Sequence, residues 1–392
     1  LKIGIIVEKF PSHSETFILN KVEGLCRRGH HVTVFRNSKH SDVLLEKAAR
    51  LENFTNLKLV NISVERNPMK VLKLALDSPT EMFKSLNKAA STKQGVLTLV
   101  RSSFFKKNIC DLYHFEFSGL ALSYMDLIKI LPGKKVISCR GSAEKVKPIT
   151  QPDRKQLLKG LFDEVDAIHC VSDDMSETVQ ALSADEKKIF VNRPSIKSGF
   201  FQRQKRYPND TNLTILSIGR LTFQKGYIVG LLAIKELIKS YPNISWKIVG
   251  DGHSMEELTF YINDLQLQDH VQLLGAKTTA EIFELYNSAD IFFLPSVYEG
   301  IANVVLEAMS MELPVVSSDC SGMKEVIQHN MNGLLATNYD HAQMADCLLK
   351  LCTDYTKRRR LGVSARKTIV ENFDIEQQLD VFEYNYQQLL QT

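Results

Sequence analysis

Short apolar runs alternate along this chain with stretches in which apolar positions recur every three or four residues. That alternation marks a parallel sheet covered by helices on both faces. In the first half the runs fall at Lys2 to Val7, Val32 to Phe35, Val136 to Ser138, Ala167 to Val171 and Ile189 to Val191. The stretch from Arg193 to Asn212 is polar, rich in Lys, Arg, Pro and Asn, and reads as a connection. The pattern restarts at Leu213 to Ile218 and continues at Ser245 to Val249, Val271 to Leu274, Ile291 to Leu294 and Pro314 to Ser317. Ile375 to Leu390 reads as a terminal helix, and no internal repeat interrupts the series. The expected architecture is α/β with two Rossmann-like domains, 1–195 and 213–373, a linker at 196–212, and a helical tail at 374–392.

Composition bounds this picture. At 392 residues and 44% hydrophobic content the chain can fill two cores, since single cores stop growing at roughly 250–300 residues. The seven cysteines (Cys26, Cys110, Cys139, Cys170, Cys320, Cys347, Cys352) form an odd set with no CxxC pair, so neither a disulfide framework nor a structural zinc site is expected. A reducing cytoplasm fits such a cysteine set, and because the apolar start ends at Glu8 and Lys9 and no run approaches the roughly 18 apolar residues of a spanning helix, neither secretion nor membrane spanning is expected. The net charge of +4 is too mild to imply nucleic acid. One segment carries Lys84, Lys88, Lys93, Arg101, Lys106 and Lys107 without an acid, interleaved with Leu, Val and Phe. It suits peripheral contact with an anionic membrane, each cation contributing about 1 kcal/mol, and equally suits a solvated helix face over a buried stripe.

The candidate chemistry lies behind two strands of the second half. Ile291 to Leu294 is followed by the run Glu299-Gly-Ile-Ala-Asn-Val-Val-Leu-Glu307, in which Gly300 favours a turn and Asn303 an N-cap. One carboxylate then stands in a loop and the other on a helix. Free N–H groups at a helix N-terminus attract phosphate, and carboxylates accept hydrogen bonds from vicinal hydroxyls, so the unit suits a sugar nucleotide. At about 1.5 Å per helical residue the two carboxylates lie up to roughly 12 Å apart, the span from a pyranose across a diphosphate to a ribose. On spacing alone the pair also reads as a surface loop glutamate and an unrelated helix glutamate. The second block is Ser217-Ile-Gly-Arg-Leu-Thr-Phe-Gln-Lys-Gly226. Arg220 offers a planar fork for phosphate and Lys225 a compact charge, with Gly219 and Gly226 permitting close backbone approach. No aspartate-x-aspartate pair follows a strand, and Asp173-Asp174 behind Ser172 reads as a helix start, so no metal site is expected.

Glu299 to Met309 resembles the twin-glutamate signature of the retaining nucleotide-sugar glycosyltransferases of family four, the glycogen-synthase-like clan with the GT-B fold. The Ser217 to Gly226 block is similar to that family's diphosphate-binding loop. Further family-like stretches are Ile248 to Gly252, Ala289 to Pro295, Pro314 to Ser318 and Gly322 to Ile327. The resemblance is strong over the C-terminal half and weak over the N-terminal half. It implies two domains facing a cleft, a C-terminal helix that crosses back to the first domain, and a nucleotide-diphosphate sugar, UDP- or GDP-linked, as substrate with no cofactor or metal. It further implies that Arg220 and Lys225 neutralise the diphosphate, Glu299 binds the donor sugar, Glu307 binds the ribose, the amides of Gly300, Ile301, Ala302 and Asn303 meet phosphate, and Gly275 to Lys277 lies near the base.

The N-terminal half departs from the family pattern. Pro11 to Phe17 resembles the Ser14-Glu15-Thr16 loop of one branch, and Ser12 with Glu15 also makes a capping-box pattern. Asp111 to Phe117 resembles a family segment but carries Glu116 where a histidine is common, and Arg140 stands where many members have a histidine that touches the donor sugar. Arginine cannot act as a base at neutral pH but can bind an anion or a hydroxyl. His114, Glu116 and Glu144 are the candidate bases, and His114 among aromatics also fits a packed core residue. The expected activity is retaining, metal-independent hexosyl transfer to a glycan or lipid-linked saccharide by front-face attack. A GT-B phosphorylase or epimerase, or an inactive binding protein on the same fold, is the alternative.

Overall fold

The structure, a computed structural model, describes residues 1–12, 15–38, 51–62, 92–204 and 212–391. The chain divides into two compact units: Leu1–Asn192 together with Leu379–Thr392, and Arg193–Gln378.

The first unit is built on a seven-stranded sheet of β1 (Lys2–Lys9), β2 (His31–Ser38), β3 (Leu57–Asn61), β4 (Leu112–Phe115), β5 (Lys134–Cys139), β6 (Ala167–Cys170) and β7 (Ile189–Val191). All neighbours pair in parallel, in the order β3-β2-β1-β4-β5-β6-β7. Strands of such a sheet are buried on both faces and read as continuous apolar runs, as Ile5, Ile6 and Val7 do in β1. Strand order reverses between β1 and β4, and crevices outside the carboxyl ends at such a reversal are where open parallel sheets bind ligands.

The second unit repeats the plan with six strands: β8 (Leu213–Ile218), β9 (Ile244–Val249), β10 (Val271–Leu273), β11 (Ile291–Leu294), β12 (Val315–Ser318) and β13 (Leu334–Ala336), in the order β10-β9-β8-β11-β12-β13. Here the reversal lies between β8 and β11. Because side chains alternate across a strand, Phe293 enters the core with Trp246 and Leu231, while Phe292 enters the opposite core with Leu306 and Met309. The expected polar connection starts packed rather than free: Ile196 is buried and bridges to Asp374 within this unit. Residues 205–211 lie outside the described set.

Two sequence expectations about helix starts differ from the structure. The helix Thr16–Arg27 has Glu15 at its N-cap with no side-chain cap hydrogen bond, so the Ser12 and Glu15 capping box does not form. The helix Asn303–Ser310 begins at Asn303 itself and has Ala302 at the N-cap. Lys84 and Lys88 of the basic segment lie outside the described residues. Arg101 stands on the helix Thr92–Lys106 with its guanidinium 3.9 Å from the Tyr124 ring centroid. All seven cysteines are free and buried. Among the described residues no helix is long and apolar enough to cross a membrane.

Candidate functional site

In the second unit the loops behind β8 and β11 leave the sheet side by side at its reversal point. They close on each other through the backbone. The Val297 N–H donates to the Gln224 carbonyl at 2.8 Å, and Nε2 of Gln224 donates to the Tyr298 carbonyl at 3.2 Å. Gly226 is obligatory in this closure. Its φ of +62° is left-handed, and a Cβ there would stand 2.0 Å from the Pro295 carbonyl oxygen.

The closure brings two of the expected site residues together. Nζ of Lys225 lies 2.6 Å from Oε1 of Glu299, with side-chain exposures of 10% and 9%. The Ser296 hydroxyl donates to the same oxygen at 3.0 Å and Nε2 of Gln224 to Oε2 at 3.5 Å, so the carboxylate is held by three donors in a poorly hydrated place. Arg220 is exposed, and its side chain makes no hydrogen bond or ion pair among the described residues. A fixed, neutralised pair thus stands in one loop pair with an uncommitted guanidinium.

Beyond Glu299 the chain passes Gly300 and enters the helix at Asn303. Ile301 and Ala302 are buried, and the amides of Ile301, Ala302 and Asn303 donate to no protein oxygen among the described residues. Ala302 has no side-chain oxygen to cap them, so these donors are left as the unpaired first amides of the helix. One turn into the helix, Oε2 of Glu307 receives the Tyr286 hydroxyl at 3.0 Å. Burial pushes the Glu307 carboxyl up to about 7, and the Tyr286 bond only partly opposes it. Glu299 and Glu307 are therefore in different environments, one paired with a cation and one with a phenol. Gly219 is packed against the Lys225 stem, where a Cβ would lie 2.9 Å from Cε. The Gly275 carbonyl accepts from the Gly250 N–H at 2.9 Å, whereas Lys277 is engaged by Glu281 at 3.1 Å on the surface.

In the first unit the expected residues sit behind β1, β4 and β5. Ser14 lies outside the described residues, and Thr16 is the first residue of its helix. Glu116 is fully buried between two cations, Lys21 at 2.6 Å and Arg140 at 2.6 Å. Burial alone would raise its carboxyl, but Lys21, His114 and Arg140 outweigh it and hold Glu116 well below the usual carboxylate range. Burial brings Lys21 down to about 8, against the pull of Glu116. His114 is also fully buried. Its Nδ1 faces Nζ of Lys21 at 3.0 Å and the Tyr386 hydroxyl at 2.6 Å, and its Nε2 faces the Ser138 hydroxyl at 2.7 Å. Ser138 in turn meets Nδ1 of His169 at 2.8 Å, and Nε2 of His169 meets the Asn192 carbonyl at 2.8 Å. Since Lys21 only donates, this network assigns His114 the tautomer with hydrogen on Nε2, and all bonds then run one way from Lys21 to Asn192. Burial keeps His114 far below its ordinary value.

These contacts engage each of the three candidate bases. His114 has both ring nitrogens bonded, Glu116 is locked between two cations, and Glu144 is buried against the Ser118 hydroxyl and the Gly141 N–H. None presents a free basic atom to a substrate hydroxyl. Arg140 alone of this set reaches solvent, at 17% exposure. Sequence reading missed the residues that hold the site. Ser296 and Gln224 stand beside the motifs and carry a local signal, whereas Tyr286, Lys21 and Tyr386 come from distant helices and have none.

The two units have the parallel-sheet, Rossmann-like architecture of GT-B glycosyltransferases. The family of Glycosyl transferases group 1 matches residues 200–368, which contain both loops and the helix behind Glu299. The amylovoran biosynthesis glycosyltransferase AmsK of Erwinia amylovora is 28% identical over 95% of this chain and 96% of its own. Among solved structures, Anabaena Alr3699/HepE in complex with UDP superposes with a TM-score of 0.77 at 16% identity, covering 99% of this chain and 100% of that one. Sucrose-phosphate synthase from Thermosynechococcus elongatus superposes with a TM-score of 0.78 at 16% identity, covering 99% of this chain and 98% of its own.

Proposed function

We propose that this chain is a retaining, metal-independent glycosyltransferase that moves a hexose from a nucleotide diphosphate sugar to a glycan or lipid-linked saccharide in polysaccharide biosynthesis. The observation that carries the reading is the Lys225 and Glu299 pair at the sheet reversal, flanked by the free Arg220 fork and the unbonded amides of Ile301, Ala302 and Asn303. A diphosphate supplies the acceptor oxygens that those donors lack. Arg220 and Lys225 then stabilise the charge that develops as the glycosidic bond breaks, a role a metal ion fills in other transferases. Glu299, already held by Lys225 and Ser296, accepts from hydroxyls of the donor sugar, and Glu307 from the ribose. UDP is the first nucleotide to test, because it is the ligand of the HepE structure.

A double displacement with these two carboxylates would need them about 5 Å apart and turned to one carbon. Their separate partners argue against it, which leaves front-face attack, with the departing phosphate taking the acceptor proton. The test is a screen of nucleotide sugars for hydrolysis and transfer, with the product anomer read by NMR and the assay repeated in EDTA. Retained configuration and activity in EDTA are expected. Glu299→Gln should lower kcat by about 10² to 10³, the scale of one lost preorganised electrostatic contact. An inverted linkage, or activity that requires Mg²⁺ or Mn²⁺, would overturn the reading.

A further inference from the structure

The first unit holds a guanidinium whose role the donor site does not explain. Arg140 follows β5 and is fixed along one edge: Nε donates to the Glu116 carbonyl at 3.0 Å and Nη2 to the Glu116 carboxylate at 2.6 Å. Its plane lies over the Phe17 ring, 4.3 Å from the centroid, with Phe117 at 5.9 Å. Nη1 has no partner among the described residues and is not sealed from solvent. Nη2 also reaches the Ser138 hydroxyl at 3.5 Å, so the fork is immobilised on one edge and one face while the Nη1 N–H groups stay open.

Charge completes the argument. Glu116 neutralises one cation, yet it has two, Lys21 and Arg140, and the buried Lys21 is turned inward to His114. Of the two cations, Arg140 is the one that reaches solvent, at 17% exposure against 2% for Lys21. Two further acids stand nearby: Glu15, whose carboxyl burial raises and which makes no ion pair among the described residues, and Glu144, which accepts the Arg140 backbone N–H at 3.3 Å and is otherwise taken up by Ser118 and Gly141. The open edge lies outside the carboxyl ends of β4 and β5, next to the reversal between β1 and β4, where a parallel sheet of this kind places its ligand. A cation held this way has lost its rotamer freedom before any ligand arrives, so little entropy is lost on binding.

We propose that Arg140 is the anion-binding residue of a ligand site in the first unit, taking a phosphate or carboxylate group of the substrate, with Lys21 and Glu116 as its positioning residues. That the ligand is the saccharide acceptor rests on the glycosyltransferase reading; the site itself does not. The acceptor would then be an acidic one, its charge coming from a diphosphate link, a sugar phosphate or a uronic acid.

Titration calorimetry of the intact chain tests this with inorganic pyrophosphate, glucose 1-phosphate and glucuronate as probes. The titrations are run in an Arg220→Ala/Lys225→Ala background, which removes the candidate diphosphate site of the second unit. At least one anion should bind, and which one binds most tightly identifies the source of the charge. Adding Arg140→Ala should weaken that binding about tenfold or more, and Arg140→Lys, which keeps the charge without the fork, should restore only part of it. Absence of binding by all three probes, or binding unchanged by Arg140→Ala, would overturn the site. A chain that turns over no nucleotide sugar but keeps Arg140-dependent anion binding would refute the transferase reading and leave this one standing.

Discussion

At the scale of the residue, the environment of each carboxylate decides what it can do. Glu307 has its carboxyl raised to about 7 by burial, so near neutral pH it is divided between two protonation states. If Glu307 holds the ribose as proposed, its ionised form is the stronger acceptor for two vicinal hydroxyls, and a nucleotide that binds this form must drive a proton off at low pH. Nucleotide affinity should therefore be full above pH 8 and fall as pH drops through 7, approaching tenfold per unit below it. Calorimetry between pH 6 and 8.5 would show the slope, and Glu307→Gln, which has no proton to lose, should flatten it. A slope that persists in Glu307→Gln would assign it to another group.

Elements position these residues, and the two loops at the second sheet's reversal act as one. Gly226→Ala forces a Cβ to within 2.0 Å of the Pro295 carbonyl at a left-handed φ, so the loops must part. The variant should lose about 2 kcal/mol or more of stability by thermal unfolding, and nucleotide affinity should fall with it because Lys225 can no longer reach Glu299. Unchanged affinity would show that the pair forms without this closure. Much of the second unit was legible in sequence because its strands are buried on both faces and its motifs sit next to them. Less was legible in the first unit. The sequence pattern marks neither β3 and β4 here nor β13 in the second unit, and the partners of Glu116 are Lys21 and Arg140, which no local spacing connects. The N-cap at Asn303 was misplaced by one residue for a related reason: the helix here leaves its first amides unbonded, against the local preference for a capping side chain.

For the molecule as a whole, the proposed donor site and the proposed anion site lie in different units. If the nucleotide is held by the second unit, hydrogen exchange with saturating UDP should slow in residues 219–226 and 295–304 while the strands β1 and β5 of the first unit keep their rates. Equal slowing in both units would place nucleotide contacts in each. The helix Ile375–Gln391 matters here, because from Leu379 onward it is part of the first unit. Phe382 places its ring 3.9 Å from Nζ of Lys21, Tyr386 bonds His114, Leu379 fills the gap beside Gly24, and Arg28 holds Glu383 at 2.6 Å. On the ribosome these residues emerge only after every strand of the second sheet has been made. Until then the buried Lys21 and Glu116 pair lacks the Phe382 and Tyr386 rings that pack beside it. The nascent first domain must wait, unfinished, while the second completes itself, so the order of synthesis makes the surroundings of Lys21 and Glu116 the last part of that domain to gain their native contacts.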